Sequence, residues 1–181
     1  TEGLQVQLRI NNKQWVSRAA EKLEGALDQI KLNVSGKTVL DVGQSTGGFS
    51  EVFLDRGAKR VIGVDVGKDQ LHPELRHHPR IEFYENTDAR CLEILNGKKI
   101  DFFSVDLSFI SLLKVAPEIY RLLSTQKSSG VFLVKPQFEV GRSQVGKGGL
   151  VRSQSVVLAC EREIIRGLEH CGFTVIDYFP S

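Results

Sequence analysis

The chain has 181 residues, of which 41% are hydrophobic and 25% are charged, and its formal net charge is +2. This length and composition indicate one ordinary globular domain, long enough to form a real core. The net charge is too small to identify a partner. No apolar run approaches the length of a membrane span and no signal peptide is visible, so a direct role in a membrane is not expected.

The cysteines and histidines do not suggest a metal site or a disulfide framework. Cys91, Cys160 and Cys171 are odd in number and widely spaced, without a CxxC pair. The histidines at positions 72, 77 and 78 have no ligand spacing with cysteines or acids, so no metal is expected. The cysteine pattern is compatible with a reducing compartment, and a cytoplasmic location is predicted.

The first 16 residues are short, polar and isolated, and are interpreted as a linker from a missing upstream module. Ser17 is then predicted to be the N-cap of a helix, because apolar residues follow it at helical spacing. The chain begins with Thr1 and has no methionine. These features suggest a fragment of a longer protein.

Strands and helices are predicted to alternate from there to the end of the chain. Six strands are expected, in KTVLDV, RVIGVDV, RIEFYEN, IDFFSVD, GVFLVK and FTVIDYF. Helices are expected in GGFSEVFLDRG, in residues 89–95, in SLLKVAPEIYRLLS and in SQSVVLACEREIIRGLEHCG. KDQLHPELRHH is interpreted as a broken helix or loop around Pro73, and residues 136–152 as a long glycine-rich loop. The alternation predicts an α/β fold with a parallel sheet covered by helices on both faces.

Charged residues stand where four of these strands end. They are Asp41, Asp65, Asp106 and Lys135. Ligands of open parallel sheets bind beyond the carboxyl ends of the strands. The functional site is therefore predicted at this edge.

The first strand leads into a glycine-containing turn. Asp41 is followed by Gly43, Gly47 and Gly48, which gives D-x-G-x-x-x-G-G rather than the G-x-G-x-x-G of dinucleotide folds. The pattern resembles the first motif of Rossmann-like methyltransferases, whose cofactor is S-adenosylmethionine. That resemblance implies a backbone cradle for the amino-acid end of the cofactor, beside the amides of Gly43 and Gly47.

Three carboxylates are candidates for the rest of the cofactor. Asp41 is expected to accept from the ammonium of the cofactor, directly or through water, and Asp65 to accept from the ribose hydroxyls. For Asp88 two interpretations remain open, an acceptor for the adenine amine or a helix cap. The remaining residues assigned to this site are Ser45, Gly48 and Phe49.

Longer stretches carry a more specific resemblance. VSRAAEKL, DVGQSTGGF, VDVG, DLSFISL and VKPQFEVGRSQVGKGGLVR resemble the hemolysin A (TlyA-type) family of FtsJ-like ribosomal RNA 2′-O-methyltransferases. The similarity covers roughly residues 16–181. The family more usually has Gly-Gly where Ala19 and Ala20 stand, and Ala where Gln44 stands.

The resemblance implies a Lys-Asp-Lys-Glu catalytic set and a two-domain protein. Lys22, Asp106 and Lys135 match the first three members, and the glutamate is expected on a seventh strand beyond this chain. Residues 1–16 would be the trailing linker of an N-terminal S4-type RNA-binding module. Residues 17–181 would be a methyltransferase domain that is incomplete at its C-terminus.

The chemistry of a ribose 2′-hydroxyl suits a lysine, because the hydroxyl is a poor nucleophile at neutral pH. Lys135 could stabilise the developing alkoxide as an ammonium, or take the proton itself if its pKa were depressed. Asp106 is expected to orient Lys135 or the substrate, and Lys22 to position the ribose and its phosphate. Taken alone, a lysine at the end of an apolar strand is often only an amphipathic side chain.

Contacts with RNA are predicted from a basic segment in the glycine-rich loop. Arg142 and Lys147 are assigned to phosphates, together with Arg18 and Arg152. Phe138 could stack on a base or be buried under the loop. The partners implied are ribosomal RNA and ribosomal subunits, and family analogy suggests cytidine as the target.

Three other functions compete with this interpretation. A non-catalytic RNA-binding or ribosome-assembly protein would explain the basic loop but not the matched catalytic positions. A nicotinamide-dependent oxidoreductase would explain Asp65 but not the missing G-x-G. A membrane-active hemolysin is disfavoured, because no span or strongly amphipathic cationic helix is present.

Overall fold

A computed structural model describes residues 14–151 and 153–180, and in these ranges strands and helices alternate. The strands are β1 (Thr38–Val42), β2 (Arg60–Val64), β3 (Ile81–Tyr84), β4 (Phe102–Val105) and β5 (Ser129–Phe132). The α-helices are α1 (Ala19–Gln29), α2 (Gly48–Asp55), α3 (Pro73–Arg76), α4 (Ala116–Leu122), α5 (Pro136–Glu139) and α6 (Gln154–His170). Short 3₁₀ helices span Glu93–Leu95, Leu112–Lys114 and Arg142–Gln144.

The five strands form one parallel sheet in the order β3-β2-β1-β4-β5. In its register Asp41 lies between Gly63 of β2 and Ser104 of β4. Strands β1 and β4 are buried on both faces, as is typical of strands covered on both sides. The parallel arrangement places the carboxyl ends of all five strands at the same edge.

Helices cover both faces of the sheet. On one face α1 and α2 pack on β1 and β4, with Leu23 and Phe53 against Phe102 in one core cluster. On the other face α4 supplies Ile119 to a second cluster that contains Phe103. The predicted α/β architecture, with helices on both faces, is confirmed.

The first helix begins close to its predicted cap. The hydroxyl of Ser17 accepts from the amide of Ala19, at 3.1 Å, and its carbonyl accepts from Ala20, also at 3.1 Å. Before it, Trp15 and Val16 pack on the core, and the amide of Val16 donates to Glu51 of α2 at 2.8 Å. The packed domain therefore includes the last residues of the predicted linker, whose residues 1–13 lie outside the described ranges.

Several elements are shorter than the sequence pattern indicated. Residues 89–95 form a helix only at Glu93–Leu95. The helix predicted around Pro117 is divided into a 3₁₀ turn and α4, because proline lacks an amide hydrogen and fits only the first turn. The predicted loop 136–152 contains α5 and the 3₁₀ turn Arg142–Gln144, so its first part is ordered by local hydrogen bonds.

The prediction of a sixth strand was wrong for the described residues. Residues 173–180 form no strand. Phe173 holds the start of this segment in an aromatic cluster, with ring centroids 5.5 Å from Phe132 and 5.2 Å from Tyr120. The rest runs beside a cavity of about 1030 Å³ next to β5, and Ile176 is 91% exposed. The backbone therefore does not form a ladder with β5.

None of the helices in the described ranges is both long enough and apolar enough to cross a membrane.

Candidate active site at the carboxyl edge of the sheet

The four charged residues predicted at strand ends lie at a single edge. Asp41 is within β1, Asp65 follows β2, Asp106 follows β4, and Lys135 follows β5 after a short extension. Neighbouring strands are about 4.8 Å apart, so adjacent strand ends bring their side chains within reach of one another. The structure shows which of these four make direct contacts.

Lys135 and Asp106 form an ion pair. The ammonium lies 2.6 Å from the Oδ1 atom of Asp106 and donates a hydrogen bond to the hydroxyl of Ser108, at 3.0 Å. The two side chains are only 23% and 18% exposed. Partial burial strengthens such a pair relative to a fully solvated one, and two contacts fix the direction of the ammonium.

The loops that follow β4 and β5 make further contacts beyond this pair. The ring of Phe109 lies 4.8 Å from the ring of Phe138. The carboxylate of Glu139 accepts from the amide of Leu112 at 2.8 Å. The same two loops therefore touch at three points: the ion pair, the two rings and the hydrogen bond from Leu112 to Glu139.

Phe109 and Glu139 were missed by reasoning from the sequence. Phe109 is 90% exposed and has a φ of 67°, a left-handed conformation that is uncommon for a bulky residue. Its aromatic character close to the strand-end Asp106 was a usable signal that the sequence analysis did not use. Glu139 left no signal, because its partner is a backbone amide 27 residues away.

The glycines of the first turn lie in close contact with other residues of the protein. A Cβ atom at Gly43 would lie 2.2 Å from the carbonyl oxygen of Asp106, and φ at Gly43 is 83°. At Gly47 a Cβ would lie 2.4 Å from Leu75, and at Gly48 it would lie 2.9 Å from Ser17. The turn thus packs closely against the strand that carries Asp106.

The amides of this turn are used differently from the prediction. Those of Gly43 and Gly47 donate to the carbonyls of Val64 and Gln44, each at 2.8 Å, so they do not face outward to a head group. The amide of Ser45 instead donates to Asp65 at 2.7 Å. Asp65 is partly exposed and also accepts from the amide of Gly67 at 2.7 Å. This carboxylate therefore joins the glycine turn to the end of β2.

Asp41 is fully buried. Its Oδ2 atom accepts from the hydroxyl of Ser50 at 2.7 Å, and its Oδ1 atom accepts from Ser104 at 2.9 Å. Burial raises the pKa of Asp41 to about 6, although the two serine donors act in the opposite direction. Because its exposure is 0%, the expected direct contact with a cofactor ammonium does not fit this geometry.

Asp88 is engaged by a neighbour. Its carboxylate accepts from the backbone amide of Arg90 at 2.8 Å and from the guanidinium at 2.6 Å. These donors lower the pKa of Asp88 to about 2. These contacts close a turn rather than cap a helix, because the nearest helix begins at Glu93 with Leu92 as its N-cap, so both oxygens of Asp88 bind groups of the protein itself.

Lys22 and Phe49 lie on the side of the sheet covered by α1 and α2. Phe49 is buried in the core, and Lys22 is exposed on α1. Both line the cavity next to β5, together with Val134 and Pro136, the residues on either side of Lys135. The cavity runs along the whole of β5 and is also lined by Lys127 at the other end of that strand, so it does not by itself bring Lys22 to Lys135.

The residues assigned to RNA are on the surface where they are described. Arg18, Arg142 and Lys147 are exposed. Arg152 lies outside the described residues. Phe138 is half-buried against Phe109, which is intermediate between the two fates considered for it.

Comparison with known proteins identifies relatives of this arrangement. The model of the FtsJ-like methyltransferase family matches residues 15–181. A protein of Mycobacterium tuberculosis named 16S/23S rRNA (cytidine-2'-O)-methyltransferase TlyA is 47% identical over 159 residues, which are 84% of this chain and 59% of the relative. The chain thus spans well under two thirds of that protein's length.

Two solved structures are similar in fold. A hemolysin-named protein of Streptococcus thermophilus superposes with a TM-score of 0.86 at 38% identity, covering 93% of this chain and 62% of the other. Fibrillarin of Aeropyrum pernix, solved with natively bound S-adenosyl-L-methionine, has a TM-score of 0.62 at 19% identity, covering 88% and 66%. The second likeness concerns the fold alone.

Proposed function

The chain belongs to the FtsJ-like methyltransferase family, and from this we propose that it is the catalytic core of an S-adenosylmethionine-dependent ribosomal RNA 2′-O-methyltransferase. The observation that supports this most directly is the Lys135–Asp106 pair beside the glycine turn. Cytidine is the proposed target nucleoside, because the Mycobacterium tuberculosis relative carries that specificity in its name.

The residues that follow β2, next to the glycine turn, fit the cofactor chemically. The partly exposed carboxylate of Asp65 suits a ribose diol, and the neighbouring Val66, 75% exposed, offers an apolar surface for an adenine ring. When bound, S-adenosylmethionine supplies an electrophilic methyl group. The residues proposed to hold it or to shape its site are Asp41, Gly43, Ser45, Gly47, Gly48, Phe49 and Asp65.

The proposed role of Lys135 is to bind and polarise the ribose 2′-hydroxyl. An ammonium has three N–H donors. One donates to Ser108 while the ammonium is ion-paired with Asp106, so a remaining donor can reach the hydroxyl oxygen and stabilise the negative charge that develops there. Asp106 balances the charge of the ammonium and holds it in place.

Lys22 is proposed to contact the ribose and its adjacent phosphate from α1. It is exposed and lines the same cavity as the residues on either side of Lys135. A flexible ammonium suits a phosphate as a point charge.

The RNA surface is proposed to combine cations with an aromatic platform. Arg18, Arg142 and Lys147 are exposed and would contact phosphates, and Arg152 is assigned to the same role from the sequence. Phe109 presents an exposed ring close to the ion pair and is supported from below by Phe138. Such a ring can stack on an unpaired base and so bring its ribose to Lys135.

The test is methyl transfer from tritiated S-adenosylmethionine to ribosomal subunits by the full-length protein, with the modified nucleotide mapped by mass spectrometry. Lys135→Ala should lower the rate by about 100-fold or more while leaving the affinity for S-adenosylhomocysteine nearly unchanged. Lys127→Ala is the matched control, because Lys127 is an exposed lysine at the opposite end of β5.

Two results would refute the proposal. One is a Lys135→Ala protein that transfers methyl as well as the wild type; if neither protein transfers any, the non-catalytic RNA-binding alternative is favoured. The other is transfer to a target nucleotide that lacks its 2′-hydroxyl.

A further inference from the structure

We propose that Gln44 is a positioning residue for cofactor binding, acting through a buried hydrogen-bond chain that connects the glycine turn to strand β4. The chain consists of Gln44, Ser50, Asp41 and Ser104. The inference rests on the proposed binding of the cofactor at the turn. It concerns a residue to which the sequence gave no role.

The chain is continuous and buried. The side-chain amide of Gln44 donates to Ser50 at 2.8 Å, and the hydroxyl of Ser50 donates to Asp41 at 2.7 Å. Ser104 donates to the other oxygen of Asp41 at 2.9 Å. Gln44 is 5% exposed and the other three residues are fully buried. Buried polar groups of this kind are costly unless every member is paired.

The direction of the chain is fixed by the chemistry of its members. An ionised Asp41 can only accept, so Ser50 must use its single proton on Asp41 and accept from Gln44. With its amide reversed, Gln44 would present an oxygen to a hydroxyl whose proton is already committed. The orientation of Gln44 therefore depends on Asp41 being charged.

Packing holds the Gln44 side chain in the same place. A Cβ atom at Gly63 would lie 2.0 Å from the Gln44 amide, so this amide rests directly on the backbone of β2. The backbone amide of Gln44 also donates to the carbonyl of Val64 at 3.1 Å. Backbone and side chain of Gln44 thus attach the turn to β2 at two adjacent points.

The far end of the chain is close to the catalytic carboxylate. Ser104 lies two residues before Asp106 on β4, and the carbonyl of Asp106 packs against Gly43 in the turn. The turn is therefore held against β4 from both sides, by direct packing and through Asp41. Losing the Gln44 amide removes one of these two restraints and should weaken cofactor binding without touching a cofactor contact.

Other charged groups near Asp41 act in one direction. Asp65 and Asp106, at the ends of the flanking strands, both raise its pKa, as does burial. Lys135 is paired with Asp106 at 2.6 Å. Protonation of Asp41 at Oδ2 would turn the acceptor of the Ser50 proton into a donor and disrupt the chain. Cofactor affinity should therefore fall as the pH decreases through the titration of Asp41.

The binding test uses isothermal titration of the full-length protein with S-adenosylhomocysteine from pH 5 to pH 8. Gln44→Leu keeps the volume over Gly63 but removes the donor, and we expect its Kd at pH 8 to rise about tenfold, the effect of one lost buried hydrogen bond. We also expect its affinity to depend less on pH than that of the wild type. Gln126→Leu, at an exposed glutamine, should behave as the wild type.

A second measurement needs no cofactor. In a nuclear magnetic resonance titration of the ligand-free protein, the side-chain amide of Gln44 should follow the titration of Asp41, and Ser50→Ala should abolish that dependence. A Gln44 signal that ignores Asp41, or a Gln44→Leu protein with wild-type Kd and pH profile, would overturn the inference. Wild-type protein that binds no S-adenosylhomocysteine would instead refute the proposed cofactor, and with it a positioning role for Gln44.

Discussion

Single carboxylates near the active-site edge have opposite electrostatic environments. Asp41 is buried with hydroxyl donors only, which leaves desolvation dominant and raises its pKa to about 6. Asp88 is partly exposed beside a guanidinium, which lowers its pKa to about 2. Asp41 was assigned to the cofactor from its position at a strand end, and for Asp88 a contact with adenine was one of two open interpretations. Their surroundings suggest that each first serves the structure around it.

For Asp88 the expected effect of substitution is on stability rather than on binding. Asp88→Ala removes the acceptor for the Arg90 amide and should lower the free energy of unfolding by about 1 kcal/mol, the net contribution of a typical hydrogen bond. Its Kd for S-adenosylhomocysteine should change less than threefold, roughly within 0.7 kcal/mol. Urea denaturation and calorimetric titration measure the two quantities. A large rise in Kd with unchanged stability would contradict this prediction and favour a contact between Asp88 and the adenine.

At this scale the sequence predicted the residues whose positions depend on strand ends. Lys135 and Asp106 were found because parallel strands that end in charged residues must bring them to one edge, and the family motifs support the same pair. Phe109, Glu139 and Gln44 were not found. Their roles arise from loop conformations and from partners distant in the sequence, which no periodicity records.

Among the elements, the loops after β4 and β5 act together because Glu139 joins them. Glu139→Ala leaves the amide of Leu112 without its acceptor and should let the two loops separate. We expect a fall of about tenfold in kcat with little change in cofactor affinity, since only the alignment of Lys135 and Asp106 is disturbed. Single-turnover methyl transfer measures this. Glu139→Gln retains an acceptor oxygen and should recover most of the rate.

Gly43 in the glycine turn can be compared with Gly97 outside it, to separate backbone strain from close packing. Gly43 and Gly97 both have positive φ, at 83° and 81°. A Cβ would meet the Asp106 carbonyl at Gly43 but nothing within 4 Å at Gly97. Gly97→Ala should therefore cost about 1 kcal/mol of strain alone, whereas Gly43→Ala should cost several times as much or prevent folding. Equal thermal shifts for the two variants would contradict the packing described for the turn.

The elements themselves were predicted unevenly. The five strands of the sheet were found because they are short apolar runs between turn signals, which packing on both faces requires. The predicted sixth strand, FTVIDYF, does not form, although it is also a short, mainly apolar run. An apolar run becomes a strand only if a neighbour offers its free edge at the right distance. Here the aromatic contacts of Phe173 place the chain beside a cavity instead.

For the whole molecule, the buried Asp41 should shape the pH dependence of stability. Its folded pKa, about 6, lies above the ordinary value of 3.8, so its contribution is fully present below about pH 4 and is lost as the pH rises through 6. The size is at most about 3 kcal/mol. His78, whose pKa is lowered by burial, acts in the opposite sense over part of this range.

The test is therefore the difference between two proteins rather than one profile. Urea denaturation of wild type and Asp41→Asn between pH 4 and pH 7 should give unfolding free energies whose difference changes by roughly 2 to 3 kcal/mol across the range, with the wild type losing more as pH rises. Parallel profiles would show that Asp41 has an ordinary pKa and that its burial does not govern its charge.

The outer side of β5 has a consequence for handling the molecule. In the described residues this strand pairs with β4 only, and the cavity described above runs alongside it. A row of open main-chain amides and carbonyls is a template for another strand. At high concentration, copies of this chain should therefore associate along the free edge of β5 before their helices unfold.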